Sequence, residues 1–501
     1  MGQALNPNQL PGREAASSVT TVQGRAAVAM RWRALQLVAV ELVYFLRLLV
    51  LAKILLPEAF GLIAIAVTSV GILMCVSEVG MVQALVQAPD ATREQYDGAW
   101  TVGLLRAALV TVALIAAAPV IARLFGVADA APIIQVLAFR PLIDAAASIG
   151  VARLTKELHF RRLAMMQLPA AVVDLLVAVA LAGSLGVWAI VAGTLSGAFT
   201  SMLASYVVAR HVPRLSFRFA DLLPLIRYGR WILITGVVAL AGTTLTQLII
   251  SRSLGAAALG VYFLALKVAF LPFTAASAVV GAVAFPIFAQ LRGEPERTST
   301  AFRQLLAGLL LVLIPVYAMV FVLAPSLEMA LGAKWAATSP VIRIVAVSCA
   351  IGVFGELLVQ LMLGQGRSDA AFRLELVQTG TLVVVAWPLI SALGLAGAAV
   401  AWLVGNLAAA ISGLHWLRMR VQLREAVDFG LTACAAAAAA GAGFTAAGIW
   451  QAWPGMAGLL AAGICGVAAA VSIVLLLARL FNLRLDTVVA WLRARTERGP
   501  A

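Results

Sequence analysis

Residues that bind metals are scarce in this sequence. Its three histidines (His159, His211 and His415) stand singly near the ends of apolar runs. The four cysteines, Cys75, Cys349, Cys434 and Cys465, lie inside apolar runs and form no CxxC or Cys/His cluster. Metal centres need such ligands grouped, so no metal site and no cofactor is expected, and the cysteines read as small apolar packing residues. The GxxxxGK[ST] phosphate cradle is missing, which excludes a built-in ATP motor. The first thirty residues hold no short apolar core with a small-residue cleavage site, so no cleaved signal peptide is expected.

Charge is also in short supply. Only 12% of the 501 residues are charged and 63% are hydrophobic; a soluble domain is about a quarter charged and about half apolar. Mean hydropathy is +1.02. No water-soluble fold hides that much apolar surface, so the solvent for most of the chain is lipid. The formal net charge is +14. In a soluble protein this would suggest nucleic acid, but here the basic residues sit in short segments between apolar runs. That pattern sets orientation in a bilayer, and no nucleic-acid partner is expected.

A spanning helix needs about 20 mostly apolar residues. Fourteen segments qualify: 34–56, 60–87, 98–122, 131–153, 163–183, 186–209, 230–251, 259–289, 303–325, 338–363, 374–392, 394–416, 427–449 and 456–479. Short links with turn residues, such as Leu56-Pro57-Glu58 and Leu393-Gly394, join antiparallel neighbours. Arginine and lysine crowd alternate links, from Arg13 and Arg25 through Arg161 and Arg162 to Arg493 and Arg495. The opposite side holds only Lys53, Arg123, Arg252 and Lys334. This bias predicts an even span count with both termini in the cytoplasm. The largest outer link, 325–337, is too short to fold as a catalytic domain.

The chain repeats itself. Arg31-Trp32 opens the first span and Arg230-Trp231 the seventh; Lys53, Leu55 and Gly61 then match Arg252, Leu254 and Gly260. Ala118-Pro119 matches Ala324-Pro325. Six spans per repeat keep both copies in one orientation, related by an axis along the membrane normal. The expected fold is therefore all-α: two six-helix lobes facing each other across a cavity, plus a C-terminal hairpin. The expected divisions are a polar tail (1–30), an N-terminal lobe (31–210), a basic linker (211–229), a C-terminal lobe (230–420), the hairpin (421–480) and a basic tail (481–501).

Charges inside spans are costly, on the order of 3 kcal/mol each, and face a cavity or a partner. The basic candidates for an anionic substrate are Arg47, Arg106, Arg140, Lys267 and Arg343. The acidic candidates for ion coupling are Glu41, Glu78, Asp144 and Glu356, with Asp174 a further acid inside a span. Arg140 and Asp144 stand four apart, a spacing that lets them neutralise each other. Glu41 and Glu78 have depths similar to Arg106 and could pair with it as structural glue. Arg47, Lys267 and Arg343 have no acidic neighbour within a turn of their own helix, which makes them the leading substrate contacts. Arginine suits phosphate because its planar fork donates two hydrogen bonds at once. Lys53, Arg123 and Arg252 are expected to snorkel to the outer interface. Prolines inside spans, Pro141 among them, are expected to kink their helices.

Four stretches resemble a known family. Leu55-Leu56-Pro57-Glu58-Ala59-Phe60-Gly61-Leu62 is similar to the L-T-P-E-D-F-G-L signature of Wzx-type oligosaccharide flippases, with Leu56 in place of Thr. The others are Glu78-Val79-Gly80-Met81-Val82-Gln83-Ala84-Leu85-Val86-Gln87, Phe160-Arg161-Arg162-Leu163 and Gly186-Val187-Trp188-Ala189-Ile190-Val191-Ala192-Gly193. The likeness covers about residues 31–420 and is nearest to the colanic-acid-exporter branch. That branch belongs to the multidrug/oligosaccharidyl-lipid/polysaccharide (MOP) superfamily. It implies a MATE-like fold and a non-enzymatic inner-membrane transporter, working as a monomer beside a polysaccharide polymerase and a chain-length regulator. The implied substrate is undecaprenyl-diphosphate-linked oligosaccharide for lipopolysaccharide or exopolysaccharide assembly, moved by alternating access. The alternatives are a MATE-like drug or cation antiporter, which would favour an acidic cavity, and a membrane polysaccharide polymerase, which would need a large outer loop.

Overall fold

The computed structural model describes residues 12–77, 92–157, 159–216 and 230–421, with short pieces between 443 and 466. The helices are α1 (Gly12–Ile54), α2 (Pro57–Ser77), α3 (Arg93–Phe125), α4 (Ala130–Leu137), α5 (Phe139–Ala145), α6 (Gly150–Lys156), α7 (Phe160–Leu185) and α8 (Val187–Ala209). They continue with α9 (Arg230–Gln290), α10 (Pro295–Leu331), a 3-10 turn (Ala333–Trp335), α11 (Thr338–Gly364), α12 (Ser368–Leu393) and α13 (Leu395–Val421). Local chemistry sets many of the ends. Pro57 and Pro295 open α2 and α10, where a missing N–H costs nothing. Thr92 caps α3 in a reciprocal box with Gln95, and Gly126 ends it in the left-handed region.

Nine helices among the described residues are long and apolar enough to cross a bilayer. Only 22–44% of each apolar window is buried inside the protein. The remainder includes exposed side chains such as Leu109, Val207, Val384 and Ile411, whose solvent is lipid. α9 covers two expected spans, interrupted at Gly255 (φ 86°, ψ 173°). With α1 and the broken run α4–α6, these helices fill the two six-span lobes expected from the sequence. The final hairpin lies largely outside the described residues.

The fourth span departs from expectation. Residues 131–153 read as one helix, but the run is broken at Ala138 and bends by 63° before α6. Pro141 has no N–H, so the Leu137 carbonyl has no helical partner. Backbone that leaves a helix inside a bilayer must find partners within the protein. Tyr206 donates its hydroxyl to the Ala146 carbonyl (2.6 Å), and Trp100 donates Nε1–H to that of Ala147 (3.1 Å). The Ser148 N–H donates to Ser205 Oγ (2.8 Å). Side chains of α3 and α8 thus replace the missing helical bonds. Pro141 marked a kink in this run, but neither the break at 146–149 nor its partners on α3 and α8 could be read from it.

The lobes repeat in detail. Gly186 (φ 56°, ψ −125°) joins α7 to α8, and Gly394 (φ 60°, ψ −136°) joins α12 to α13. Both have the same backbone geometry, one that glycine alone adopts readily. The landmark glycines meet where α2 packs along α9. A Cβ at Gly61 would overlap the Ala256 carbonyl, and one at Gly260 would overlap the Pro57 carbonyl. Pro57 precedes Gly61 by the same interval as Ala256 precedes Gly260. The two approaches are one contact seen from each lobe, as a two-fold axis requires. Nearby, fully buried Trp335 packs edge-on to Phe60 with ring centres 5.2 Å apart, and donates Nε1–H to the Ala52 carbonyl (2.7 Å). The lobes are therefore joined on the arginine-poor side.

Candidate functional site

Arg47 projects from α1 into the N-terminal lobe. Its Nε stands 3.0 Å from Asp174 Oδ1 on α7, with side chains 15% and 5% exposed. Nη2 donates to the Ile190 carbonyl (3.1 Å) and to Thr194 Oγ1 (3.0 Å) on α8. The Nε–H is not aligned on the carboxylate, so that contact is an ion pair without an added hydrogen bond. Small residues admit it: a Cβ at Gly193 or Gly197 would strike the Asp174 side chain. Gly193-Thr194-Leu195-Ser196-Gly197 has the GxxxG spacing that lets helices approach closely in lipid. Arg47, which has no acidic neighbour within a turn of its own helix, is therefore paired in this structure. Its partner lies on another helix, where same-helix spacing does not reach.

The other candidates fall into separate settings. Arg140 Nε lies 3.6 Å from Asp144 Oδ2 on α5, and both side chains are about half exposed, at 46% and 49%. Tyr44, on α1, is within electrostatic range of Asp174, Arg140, Arg47 and Glu41, so α1, α5 and α7 bring one charged cluster together. Glu41 is exposed. Lys267, on the second half of α9, is exposed while Leu264, Ala265, Val268 and Ala269 around it are buried. Its ammonium lies 5.5 Å from the Phe263 ring centre and within electrostatic range of Glu41, which belongs to the other lobe. Arg106 is half-buried on α3 and engaged in an interaction there. Arg343 donates Nε–H to the Phe321 carbonyl (3.2 Å) and stacks 5.0 Å over the Phe321 ring, which ties α11 to α10. Glu78 lies outside the described residues.

Beside the predicted Glu356, the C-terminal lobe carries polar groups that had no motif to mark them. Glu356 accepts from Gln360 (2.9 Å), and Glu375 accepts from Thr379 (3.1 Å). The two carboxylates are within electrostatic range of each other. Asn406 donates to the Ser348 carbonyl (3.1 Å) and Ser348 Oγ (2.8 Å), and accepts from Gln378 (2.8 Å). The signal available in the sequence was amide and hydroxyl side chains inside apolar runs. At the arginine-rich end of α3, buried Asp97 accepts from the Arg214 N–H (3.3 Å) and faces His211 Nε2 (3.3 Å). Thr101 Oγ1 accepts from the Ser216 N–H (2.9 Å), so the chain leaving the first lobe is fastened to α3.

Two repeat-related helical lobes, joined at one side and carrying charged clusters within their spans, make a multi-pass helical membrane fold. The solved lipid II flippase MurJ, in an inward closed conformation, superposes with a TM-score of 0.68 at 12% identity, covering 90% of this chain and 99% of that one. The chain belongs to the polysaccharide biosynthesis protein family, whose profile matches residues 50–340. It is 26% identical over 379 residues to the succinoglycan biosynthesis transport protein ExoT of Rhizobium meliloti, covering 75% of this chain and 76% of ExoT. It is 23% identical over 353 residues to the lipopolysaccharide biosynthesis protein WzxC of Escherichia coli, covering 70% and 72%. The chain is thus a multi-pass helical membrane protein of the polysaccharide biosynthesis family.

Proposed function

We propose that this protein flips an undecaprenyl-diphosphate-linked oligosaccharide from the inner to the outer leaflet of a bacterial inner membrane, with both termini in the cytoplasm. The arginine bias of the links supports that orientation. The observation that carries the reading is Lys267: an exposed side chain among buried apolar neighbours, within electrostatic range of Glu41 on the other lobe. A cation within a span is costly until it meets an anion. A diphosphate brings more charge than Glu41 and would draw Lys267 away from it. Arg140 and Arg106 extend the basic path through the first lobe, and Asp144 offsets Arg140 when substrate is absent. Arg47 and Arg343 act in this reading as helix fasteners, through Asp174 and Phe321. The polyprenyl tail stays in the bilayer at the gap between lobes. Glu356, with Glu375 in range, is the proposed ion-coupling position.

Lys267→Ala removes one charge-assisted contact to the diphosphate, worth ~1.5–3 kcal/mol, so export falls by about tenfold or more. Lys267→Arg retains most of it. The measurement is build-up of lipid-linked repeat units on the inner leaflet of a deletion strain carrying each variant. Parent-level export by an abundant Lys267→Ala protein would remove Lys267 and the diphosphate from the site.

A further inference from the structure

The last turn of a helix leaves carbonyls without helical partners, and that end carries partial negative charge. α3 and α10 are repeat mates, and both end on the arginine-poor side. Lys53, at the end of α1, donates its ammonium to the Ala330 carbonyl in the last turn of α10 (2.5 Å). Arg252, at the matching place in α9, donates Nε–H to the Leu124 carbonyl (2.6 Å) and Nη2–H to that of Arg123 (3.1 Å), in the last turn of α3. Leu124 stands as far beyond Pro119 as Ala330 stands beyond Pro325. Each lobe's first span therefore hands a cation to the equivalent carbonyl on the other lobe's third span. Two supporting bonds lie alongside. Lys334 Nζ donates to the Lys53 and Leu55 carbonyls (2.8 Å each), and Ser251 Oγ donates to that of Phe125 (2.8 Å).

We propose that these two reciprocal cation-to-carbonyl latches are the outer gate of the transporter. They hold the outer side shut while substrate loads from the other side, and both must release before the lobes open outward. Only the assignment to the outer side rests on the orientation proposed above; the latches do not depend on what is carried. Carbonyls suit a reversible gate. On opening, donors and acceptors exchange partners with water or lipid headgroups, and no buried charge is left unpaired. A carbonyl asks only for an N–H donor, so lysine and arginine serve equally at the two matched positions.

Spin labels at Leu56→Cys and Met329→Cys, in a background without the native cysteines, report the gate by pulsed electron resonance in nanodiscs. These positions are 61% and 72% exposed and lie on opposite lobes. The parent should give one short-distance population. Lys53→Ala with Arg252→Ala should move the closed-to-open equilibrium by about a hundredfold, and either alone by about tenfold, adding a longer population. Lys53→Arg with Arg252→Lys should keep the parent distances. A double alanine variant with parent distances overturns the proposal. If that variant does not fold, Arg252→Ala alone, which keeps the Lys53 latch, should still add the longer population. Parent distances in that single variant also overturn it. Lys267→Ala should keep the parent distances, so the gate and the substrate reading fail separately.

Discussion

Arg47→Ala should lower stability by about 3–5 kcal/mol, the cost of leaving one member of a buried ion pair alone. Asp174 would then hold an unpaired carboxylate between α7 and α8, against Gly193 and Gly197, and the Ile190 carbonyl and Thr194 hydroxyl would lose their donor. The readouts are the melting temperature of the purified protein in detergent and its abundance in the membrane. Arg47→Ala with Asp174→Ala removes both charges and should recover most of that loss, because replacing a whole buried pair by apolar groups is close to neutral. Export separates two roles for Arg47. If it is a fastener, the double variant exports near the parent level, since Lys267 still meets the diphosphate. A stable double variant that exports nothing would put Arg47 on the substrate path and move the site to α1.

Gly61→Ala combined with Gly260→Ala should keep the lobes from closing on the arginine-poor side and reduce export by about tenfold or more, each overpacked contact costing ~1–3 kcal/mol. Each new methyl would land on the backbone of the other helix, at Ala256 or Pro57. Side chains can rotate out of the way; a helix backbone cannot, so α2 and α9 must part. Gly71→Ala is the control on α2, because a Cβ there meets nothing within 4 Å. It should be neutral or slightly stabilising, by up to about 1 kcal/mol, since alanine favours the helix. The label pair at positions 56 and 329 measures the separation. Parent-like distances and export in the glycine double variant would deny this crossing any part in closure.

Some of this was legible in the chain itself. The pair Arg140 and Asp144 was visible because helical spacing places residues four apart on one face. The matched landmarks Gly61 and Gly260 were visible because they recur at a fixed interval. Neither pattern said that these glycines touch each other. Lys53 and Arg252 read as snorkelling cations, which is what a lone helix end implies; the acceptors on α10 and α3 belong to the opposite lobe. Arg47 looked unpaired because only its own helix could be inspected, and Asp174 is on α7. The break at 146–149 was hidden because its replacement partners, the donors Tyr206 and Trp100 and the acceptor Ser205, come from helices distant in the chain.

By itself the sequence determined the solvent, the helical class, the two-lobe repeat and the likeness to a transporter family. Those follow from apolar length, loop charge and recurrence, and each is written along one dimension. Only the tertiary structure decided which charges neutralise one another, where a span breaks, and which carbonyls the two end-of-span cations grasp. In lipid, every buried polar group must find a partner wherever the fold brings one near. That choice depends on distance in space, which the order of residues does not record.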